Sequence, residues 1–189
     1  MQSKISDTEA MSRCLELALN GSGSVSPNPL VGSVIIKDGA IISEAWHEEY
    51  GGLHAEINAI NKSGLSSFEG MTLAVNLEPC SHFGKQAPCV DTIIEKKFSR
   101  VIIGMKDPNP LVSGNGIEKL KKAGIAVDIR KRLQMDKSFF LQEDGNQFPI
   151  YCNESSSIFR RLHSHNNRRI KMDYLRRKSQ AYSYFKTRM

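Results

Sequence analysis

Apolar residues near the start of the chain recur at three- and four-residue intervals, which is typical of one face of a helix. The run follows Ser6-Asp7-Thr8-Glu9, which has the spacing of a capping box, and it stops at Asn20-Gly21. A first helix is therefore predicted between these signals, with an apolar face of Met11, Cys14, Leu15, Ala18 and Leu19. Two closely spaced prolines make the next segment, Ser26-Pro27-Asn28-Pro29, an ordered loop.

Strand patterns begin after this loop. Two β-rich runs, Val31 to Lys37 and Ala40 to Trp46, flank Asp38-Gly39, and a turn of this type predicts a hairpin. Helices and strands then alternate. In chain order we predict a helix over about His54–Lys62 ended by Gly64, a strand over Met71–Leu77, a loop over Glu78–Pro88, a helix over Cys89–Lys97, a strand over Arg100–Met105, a helix over Gly116–Lys122 ended by Gly124, a strand over Ile125–Ile129 and a last helix over about Leu133–Leu141.

The order of these elements indicates the fold class. Alternating strands and helices after the hairpin favour a mixed, mostly parallel five-stranded sheet with helices on both faces. We therefore predict an α/β domain of three layers, α/β/α, that ends near Asn146.

Composition places the chain among soluble globular proteins. It has 189 residues, of which 40% are hydrophobic and 24% charged. No apolar run approaches the ~20 residues that span a bilayer, and the first residues lack a signal-peptide pattern. Four cysteines are too few for a disulfide scaffold of this size. We therefore expect a cytoplasmic protein with no membrane partner.

The net charge of +6 is unevenly distributed. Residues 151–189 contain ten Lys and Arg against two Asp and Glu, whereas residues 1–150 contain sixteen against eighteen. The basic character therefore belongs to the last segment alone, and we expect no specific nucleic-acid partner for the rest of the chain.

Three short sequences carry candidate chemistry: His54-Ala55-Glu56, Pro79-Cys80 and Pro88-Cys89. One imidazole and two thiolates are a natural ligand set for Zn²⁺, and three protein ligands leave a fourth position open, as in catalytic sites. A carboxylate two residues after the histidine can take a proton from an attacking water and pass it to a leaving amine. Zinc deaminases of nucleobases have the signature H-x-E…P-C-x-x-C, which is met only in part, because the second cysteine here follows nine positions after the first.

Each of these residues also has a plain structural interpretation. A single histidine on a helix is more often hydrogen-bonded within the fold than a metal ligand. Cys80 or Cys89, considered alone, would be a small buried apolar residue. Their order along the chain and their positions at the ends of predicted elements favour the metal site.

Five sequence motifs narrow the choice of protein family. They are Ser26-Pro27-Asn28-Pro29-Leu30-Val31-Gly32, His54-Ala55-Glu56, Leu77-Glu78-Pro79-Cys80-Ser81-His82-Phe83-Gly84, Pro88-Cys89 and Asp107-Pro108-Asn109-Pro110-Leu111-Val112. Together they resemble the deaminase domain of the bifunctional riboflavin-biosynthesis deaminase/reductase, the diaminohydroxyphosphoribosylaminopyrimidine deaminase. The resemblance covers about residues 8–149, and the long cysteine spacing is that family's own variant. It implies the cytidine deaminase-like fold for a domain over residues 1–149.

The resemblance also implies an activity and a set of site residues. The substrate would be 2,5-diamino-6-ribosylamino-4(3H)-pyrimidinone 5′-phosphate, whose 2-amino group is hydrolysed to give the pyrimidinedione and ammonia. By this resemblance His54, Cys80 and Cys89 hold Zn²⁺, and Glu56 is the catalytic proton shuttle. The substrate-binding positions are Asn28, His47, His82, Lys85, Asp107 and Asn109.

The substrate-binding positions suit a phosphorylated pyrimidine chemically. Lys85 offers a positive charge for a phosphate, and the polar side chains offer donors and acceptors for a base and a ribose. Without the resemblance, Lys85 would be a solvated surface lysine, Asp107 and Asn109 would be turn formers, and His47 would end its strand.

The resemblance stops near Phe148-Pro149, where relatives usually continue into an NADPH-dependent reductase domain. Codons can be chosen for residues 151–174 such that reading them one base out of frame encodes a different peptide. That peptide is similar to the start of the reductase domain. Met172-Asp173 forces a tryptophan codon where the family has Trp-Ile-Thr. We therefore expect residues 150–189 to be an out-of-frame remnant of a reductase domain. The protein would then be a truncated bifunctional enzyme without reductase activity or an NADPH site. The alternative is a basic tail that binds nucleic acid.

Two other functions stay open at this point. The first is another zinc deaminase that acts on nucleosides or RNA bases, although RNA editing would need a basic face that residues 1–150 lack. The second is a non-catalytic zinc-binding module, in which a carboxylate beside an open coordination position would have no use. A homo-oligomer is expected only by analogy with relatives.

Overall fold

The computed structural model describes residues 4–83, 86–107 and 113–130. In chain order the elements are α1 Asp7–Ala18, a 3₁₀ turn at Leu19–Gly21, β1 Gly32–Lys37, β2 Ala40–Trp46, α2 Ala55–Ser63, β3 Thr72–Leu77, α3 Cys89–Glu95, β4 Arg100–Met105, α4 Asn115–Lys122 and β5 Ala126–Ile129. The predicted order is therefore confirmed as far as residue 130. The predicted helix over Leu133–Leu141, the domain end near Asn146 and the segment 150–189 lie outside the described residues.

The local signals of the sequence act as expected at three element ends. In the capping box of α1, the Glu9 N–H donates to Ser6 Oγ at 3.2 Å and the Ser6 N–H donates to Glu9 Oε2 at 2.8 Å. In the hairpin turn, Asp38 and Gly39 have φ of 54° and 84°, as a two-residue turn that follows the strand twist requires. Gly64, with φ of 68°, ends α2 in the left-handed region.

The five strands form one mixed sheet in the order β2-β1-β3-β4-β5. Strand β1 is antiparallel to both β2 and β3, whereas β3, β4 and β5 are parallel to one another. Four strands therefore run in the same direction and only β1 is reversed. The predicted five-stranded mixed sheet is confirmed. Its adjacent parallel strands are β3, β4 and β5, which α3 and α4 connect.

Side-chain alternation along the strands separates two apolar layers. The layer under α1 consists of the buried residues Ala10, Met11, Cys14, Leu17, Val34, Ala74 and Ile102. The layer on the opposite face joins Ile35, Val75 and Ile103 of the strands to apolar residues of α2, α3 and α4. The architecture is therefore α/β/α in three layers, as predicted.

The loop between α1 and β1 is fixed to the centre of the sheet. A side chain at Gly32 would place its Cβ 2.1 Å from the carbonyl oxygen of Cys14, so only glycine permits this approach of α1 to β1. On β3, Asn76 is buried; its Oδ1 accepts from the Gly32 N–H at 2.8 Å, and its Nδ2 donates to the Leu30 carbonyl at 2.9 Å. These bonds hold the loop that carries Asn28 against the end of β3.

One end of the sheet gathers the candidate residues. Strand β3 ends just before Cys80, while α2 begins after His54 and α3 begins at Cys89. In the part of the chain that the structure describes, no helix is both long and apolar enough to cross a membrane.

Candidate active site

Three sulfur and nitrogen atoms converge where β3 ends and α2 and α3 begin. His54 is the N-cap residue of α2, Cys89 is the first residue of α3, and Cys80 lies in the loop after β3. One ligand atom from each lies within 4.8 Å of the others. His54 Nδ1 is 3.1 Å from Cys89 Sγ and 3.5 Å from Cys80 Sγ. The structure therefore brings together the three residues that the sequence predicted as metal ligands.

This donor set fits Zn²⁺. One imidazole nitrogen and two sulfurs are ligands that zinc prefers, and with three of them a fourth position stays open. Hydrogen bonds with Cys89 and His54 lower the pKa of the Cys80 thiol, although its burial acts in the opposite direction. The backbone N–H of Cys89 also donates to Cys80 Sγ at 3.3 Å. These contacts favour the thiolate form of Cys80, the form that a metal ligand requires, whereas the hydrogen bond with Cys80 raises the pKa of Cys89.

Glu56 lies beside this cluster in the first turn of α2 and is only 3% exposed. Its burial raises the pKa of its carboxyl group to about 7, against the opposing effect of His54. A carboxyl group in such surroundings can both accept and release a proton, as a proton shuttle must.

A cavity of about 380 Å³ opens in front of the cluster. Its lining includes seven residues predicted for the site, namely Asn28, His47, His54, Glu56, Cys80, His82 and Asp107. Two further predicted residues, Lys85 and Asn109, lie outside the described residues. A cavity of this volume is within the range of small-molecule sites.

His47 and Asn28 form a chain of hydrogen bonds at the cavity wall. His47 Nδ1 lies 2.9 Å from the carbonyl oxygen of Leu53, so this nitrogen carries the hydrogen and donates it. His47 Nε2 is then an acceptor for the Nδ2 of Asn28 at 3.0 Å. Burial lowers the pKa of His47, which favours the same neutral ring. Its ring also meets the ring of His54 edge to face, with 5.6 Å between centroids.

Some lining residues were missed by the sequence analysis. Glu78 is buried and lines the cavity. The sequence feature that could have identified it is a charged residue directly after an apolar strand and next to Pro79-Cys80. Tyr50, Gly51 and Gly52 line the cavity from the loop before α2, and Gln86 Nε2 donates to the Gly51 carbonyl at 3.4 Å. No local pattern marks that loop, since its position depends on tertiary packing.

Comparison with known proteins agrees with this geometry. The diaminohydroxyphosphoribosylamino-pyrimidine deaminase of Buchnera aphidicola subsp. Schizaphis graminum is 46% identical over 134 residues, which cover 69% of this chain and 90% of that protein. The riboflavin biosynthesis protein RibD of Aquifex aeolicus is 43% identical over 138 residues, which cover 71% of this chain but 38% of that protein. The chain thus spans most of one relative and well under half of the other.

A solved structure of a related protein shows the same similarity. The diaminohydroxyphosphoribosylaminopyrimidine deaminase/5-amino-6-(5-phosphoribosylamino)uracil reductase of Thermotoga maritima is 51% identical and superposes with a TM-score of 0.60, covering 64% of this chain and 35% of that one. Residues 4–105 match the family described as the cytidine and deoxycytidylate deaminase zinc-binding region, a match that includes all three candidate ligands and Glu56. The chain therefore belongs to the zinc-binding cytidine and deoxycytidylate deaminase family.

Proposed function

We propose that this domain hydrolyses the 2-amino group of 2,5-diamino-6-ribosylamino-4(3H)-pyrimidinone 5′-phosphate. The products are 5-amino-6-ribosylamino-2,4(1H,3H)-pyrimidinedione 5′-phosphate and ammonia, in riboflavin biosynthesis. One observation carries the proposal: a nitrogen and two sulfurs within 4.8 Å of one another share a cavity with the buried carboxyl group of Glu56. The similarity to the diaminohydroxyphosphoribosylamino-pyrimidine deaminase of Buchnera supports the choice of substrate, and the similarity to RibD of Aquifex supports the pathway.

His54, Cys80 and Cys89 would hold the metal. When bound there, Zn²⁺ supplies Lewis-acid activation of water near neutral pH. The ends of backbone elements position these ligands. His54 and Cys89 lie at the starts of α2 and α3, and Cys80 lies in the loop after β3.

Glu56 moves the protons of the reaction. It accepts one proton from the attacking water, whose oxygen adds to the ring carbon that carries the amine, and it gives this proton to the neighbouring ring nitrogen. It then accepts the second proton from the added oxygen and gives it to the amine as the carbon–nitrogen bond breaks. Ammonia leaves, the ring carbon becomes a carbonyl, and the carboxylate is regenerated.

Polar residues of the cavity would bind the rest of the substrate. Because Asn28 donates one Nδ2 hydrogen to His47, its Oδ1 remains to accept from the ligand and its second Nδ2 hydrogen remains to donate. His82 and Asp107 line the same cavity and add further polar groups. We assign Lys85 to the phosphate because of its charge, and Asn109 to the base and ribose.

An assay of ammonia release separates the proposal from its rivals. Purified protein with measured zinc content is offered the riboflavin intermediate, cytidine and guanine in parallel. Release from the riboflavin intermediate alone supports the proposal. Release from cytidine or guanine instead indicates a different zinc deaminase, and one zinc per chain without any ammonia indicates a non-catalytic zinc-binding module.

A further inference from the structure

Glu78 is a buried carboxylate that neither the metal cluster nor the proton transfers use. It directly follows β3 and is 5% exposed. Its N–H donates to the carbonyl oxygen of Met105 at 2.9 Å, which continues the pairing of β3 with β4 as far as the edge where the cavity lies. A buried charge at this position requires partners.

Within the described residues, four backbone N–H groups donate to the Glu78 carboxylate. Oε1 of Glu78 accepts from Gly116 at 3.0 Å and from Ile117 at 3.3 Å. Oε2 accepts from Gly114 at 2.9 Å and from Asp107 at 3.2 Å. Hydrogen bonds to a charged acceptor are stronger than neutral ones, so these bonds join the end of β3 firmly to the start of α4.

Glu78 caps α4 in place of the helix's own residue. The N-cap of α4 is Gly114, which has no side chain to accept a hydrogen bond. Glu78 Oε1 takes the N–H groups of the second and third helical residues, the donors that a capping side chain normally binds. Negative charge at a helix N-terminus is favourable in itself.

The packing here is tight enough to require a glycine. A Cβ on Gly116 would lie 2.3 Å from the carbonyl oxygen of Pro79 and 3.2 Å from Glu78 Oε1. The start of α4 therefore lies directly against the Glu78-Pro79-Cys80 segment.

Both ends of the connection between β4 and α4 bind the same oxygen. Asp107, at one end, lines the cavity, and Gly114 is at the other end. We propose that Glu78 is a positioning residue that fixes Asp107 at the cavity wall by joining it to the start of α4, and so sets substrate affinity. This inference rests on the proposed function, because it takes the cavity to be the substrate site.

The variant Glu78→Gln tests this role. Glutamine keeps the size of the side chain but replaces one accepting oxygen by an NH₂ group, which faces two backbone donors and cannot accept from them. We expect KM for the riboflavin intermediate to rise about tenfold or more, with kcat and zinc content near the wild-type values. Glu78→Asp retains both oxygens and should raise KM less.

The matched control is Glu44→Gln. Glu44 on β2 is a carboxylate bound by Arg13, with Nε–Oε2 at 2.8 Å, and it does not line the cavity. This control should leave KM unchanged. An unchanged KM in Glu78→Gln, or a loss confined to kcat, would overturn the positioning role.

A second measurement does not depend on activity. Amide hydrogen exchange at Asp107, Gly114, Gly116 and Ile117 should become faster in Glu78→Gln than in the wild type, since the bonds to Glu78 protect these groups. Unchanged exchange would refute the anchor. If the wild type releases no ammonia, the proposed function fails, and the exchange result alone decides about Glu78. If Glu78→Gln does not fold, the same two readouts are taken on Glu78→Asp.

Discussion

The side-chain amide of Asn28 donates to Nε2 of His47, with 3.0 Å between the two nitrogens. The direction of this bond follows from the other ring nitrogen, which donates to the Leu53 carbonyl at 2.9 Å. His47 thus fixes which side of the Asn28 amide faces its ring, because its Nε2 can only accept. The Oδ1 and the second Nδ2 hydrogen of Asn28 remain, so this residue can accept one hydrogen bond from a ligand and donate one to it.

Asn28→Asp tests this orientation. The aspartate has no hydrogen to donate to His47 Nε2, and it adds a negative charge to a cavity that we assign to a phosphorylated substrate. We expect KM to rise about tenfold or more, the effect of losing one hydrogen bond and adding one unfavourable charge. Steady-state kinetics measure the change. Asn61→Asp adds the same charge on the exposed side of α2 and should leave KM unaltered; equal effects of the two variants would argue against the orientation.

Cys80→Ser tests the metal site. A serine hydroxyl is a poor ligand for zinc compared with a thiolate, so we expect the zinc content to fall from one per chain to well below half, with deamination lost in proportion. Elemental analysis of desalted protein measures the zinc. Cys14→Ser is the matched control, because Cys14 lies on the buried face of α1 and donates to the Ala74 carbonyl, a bond that serine can also make. Full zinc content in Cys80→Ser would contradict the assignment.

Asp7 makes stability depend on pH. Arg100 donates to both of its carboxylate oxygens, at 2.9 and 2.7 Å, and Arg130 also pairs with it. Hydrogen bonds from Arg100 lower the pKa of Asp7 below its usual value. The stability that this group contributes is therefore fully present above the unfolded-state pKa of about 3.9, and it is lost as the pH falls through the lower folded-state pKa.

The test compares Asp7→Asn with the wild type between about pH 6 and pH 2. We expect the variant to be less stable at pH 6, and its free energy of unfolding to fall less as the pH decreases, as measured by urea unfolding. Asp38→Asn, in the exposed hairpin turn, controls for the loss of one carboxylate. Parallel stability curves for Asp7→Asn and the wild type would be inconsistent with this account.

Local signals predicted most of the fold. The Ser6 capping box, the Asp38-Gly39 turn and the Gly64 helix end are decided by neighbouring residues, and each was found where the sequence placed it. The antiparallel pairing of β1 with β3 is different, since it joins residues about forty positions apart, such as Ser33 and Val75, and depends on how the sheet assembles. The sequence therefore predicted where the helices and strands lie better than it predicted which strands are adjacent in the sheet.

The site divides in the same way. His54, Cys80, Cys89 and Glu56 could be predicted because their chemistry and spacing form a recognisable motif. The role of Glu78 was not predicted. A charged residue directly after an apolar strand marks its position, but its partners are backbone N–H groups 29 or more positions away, which no side-chain pattern identifies. Only the structure therefore shows what such a residue holds.

The nucleotide sequence tests the origin of residues 150–189. If this segment is an out-of-frame remnant of a reductase domain, the codons of residues 151–174 shifted by one base must encode a peptide similar to the start of that domain, including Trp-Ile-Thr at Met172-Asp173. Codons that are incompatible with such a peptide would refute the frameshift and leave a basic tail of separate origin.

Ammonia release by the wild type and by Glu56→Gln, with zinc measured in both, tests the central claim most directly. Glutamine keeps the size of the side chain but cannot carry the protons. We predict that the wild type releases one ammonia per molecule of the riboflavin intermediate and loses this activity with a chelator, whereas Glu56→Gln keeps its zinc and turns over at least about 10²-fold more slowly. Near wild-type turnover by zinc-loaded Glu56→Gln, or a zinc-loaded wild type that releases no ammonia, would contradict the account.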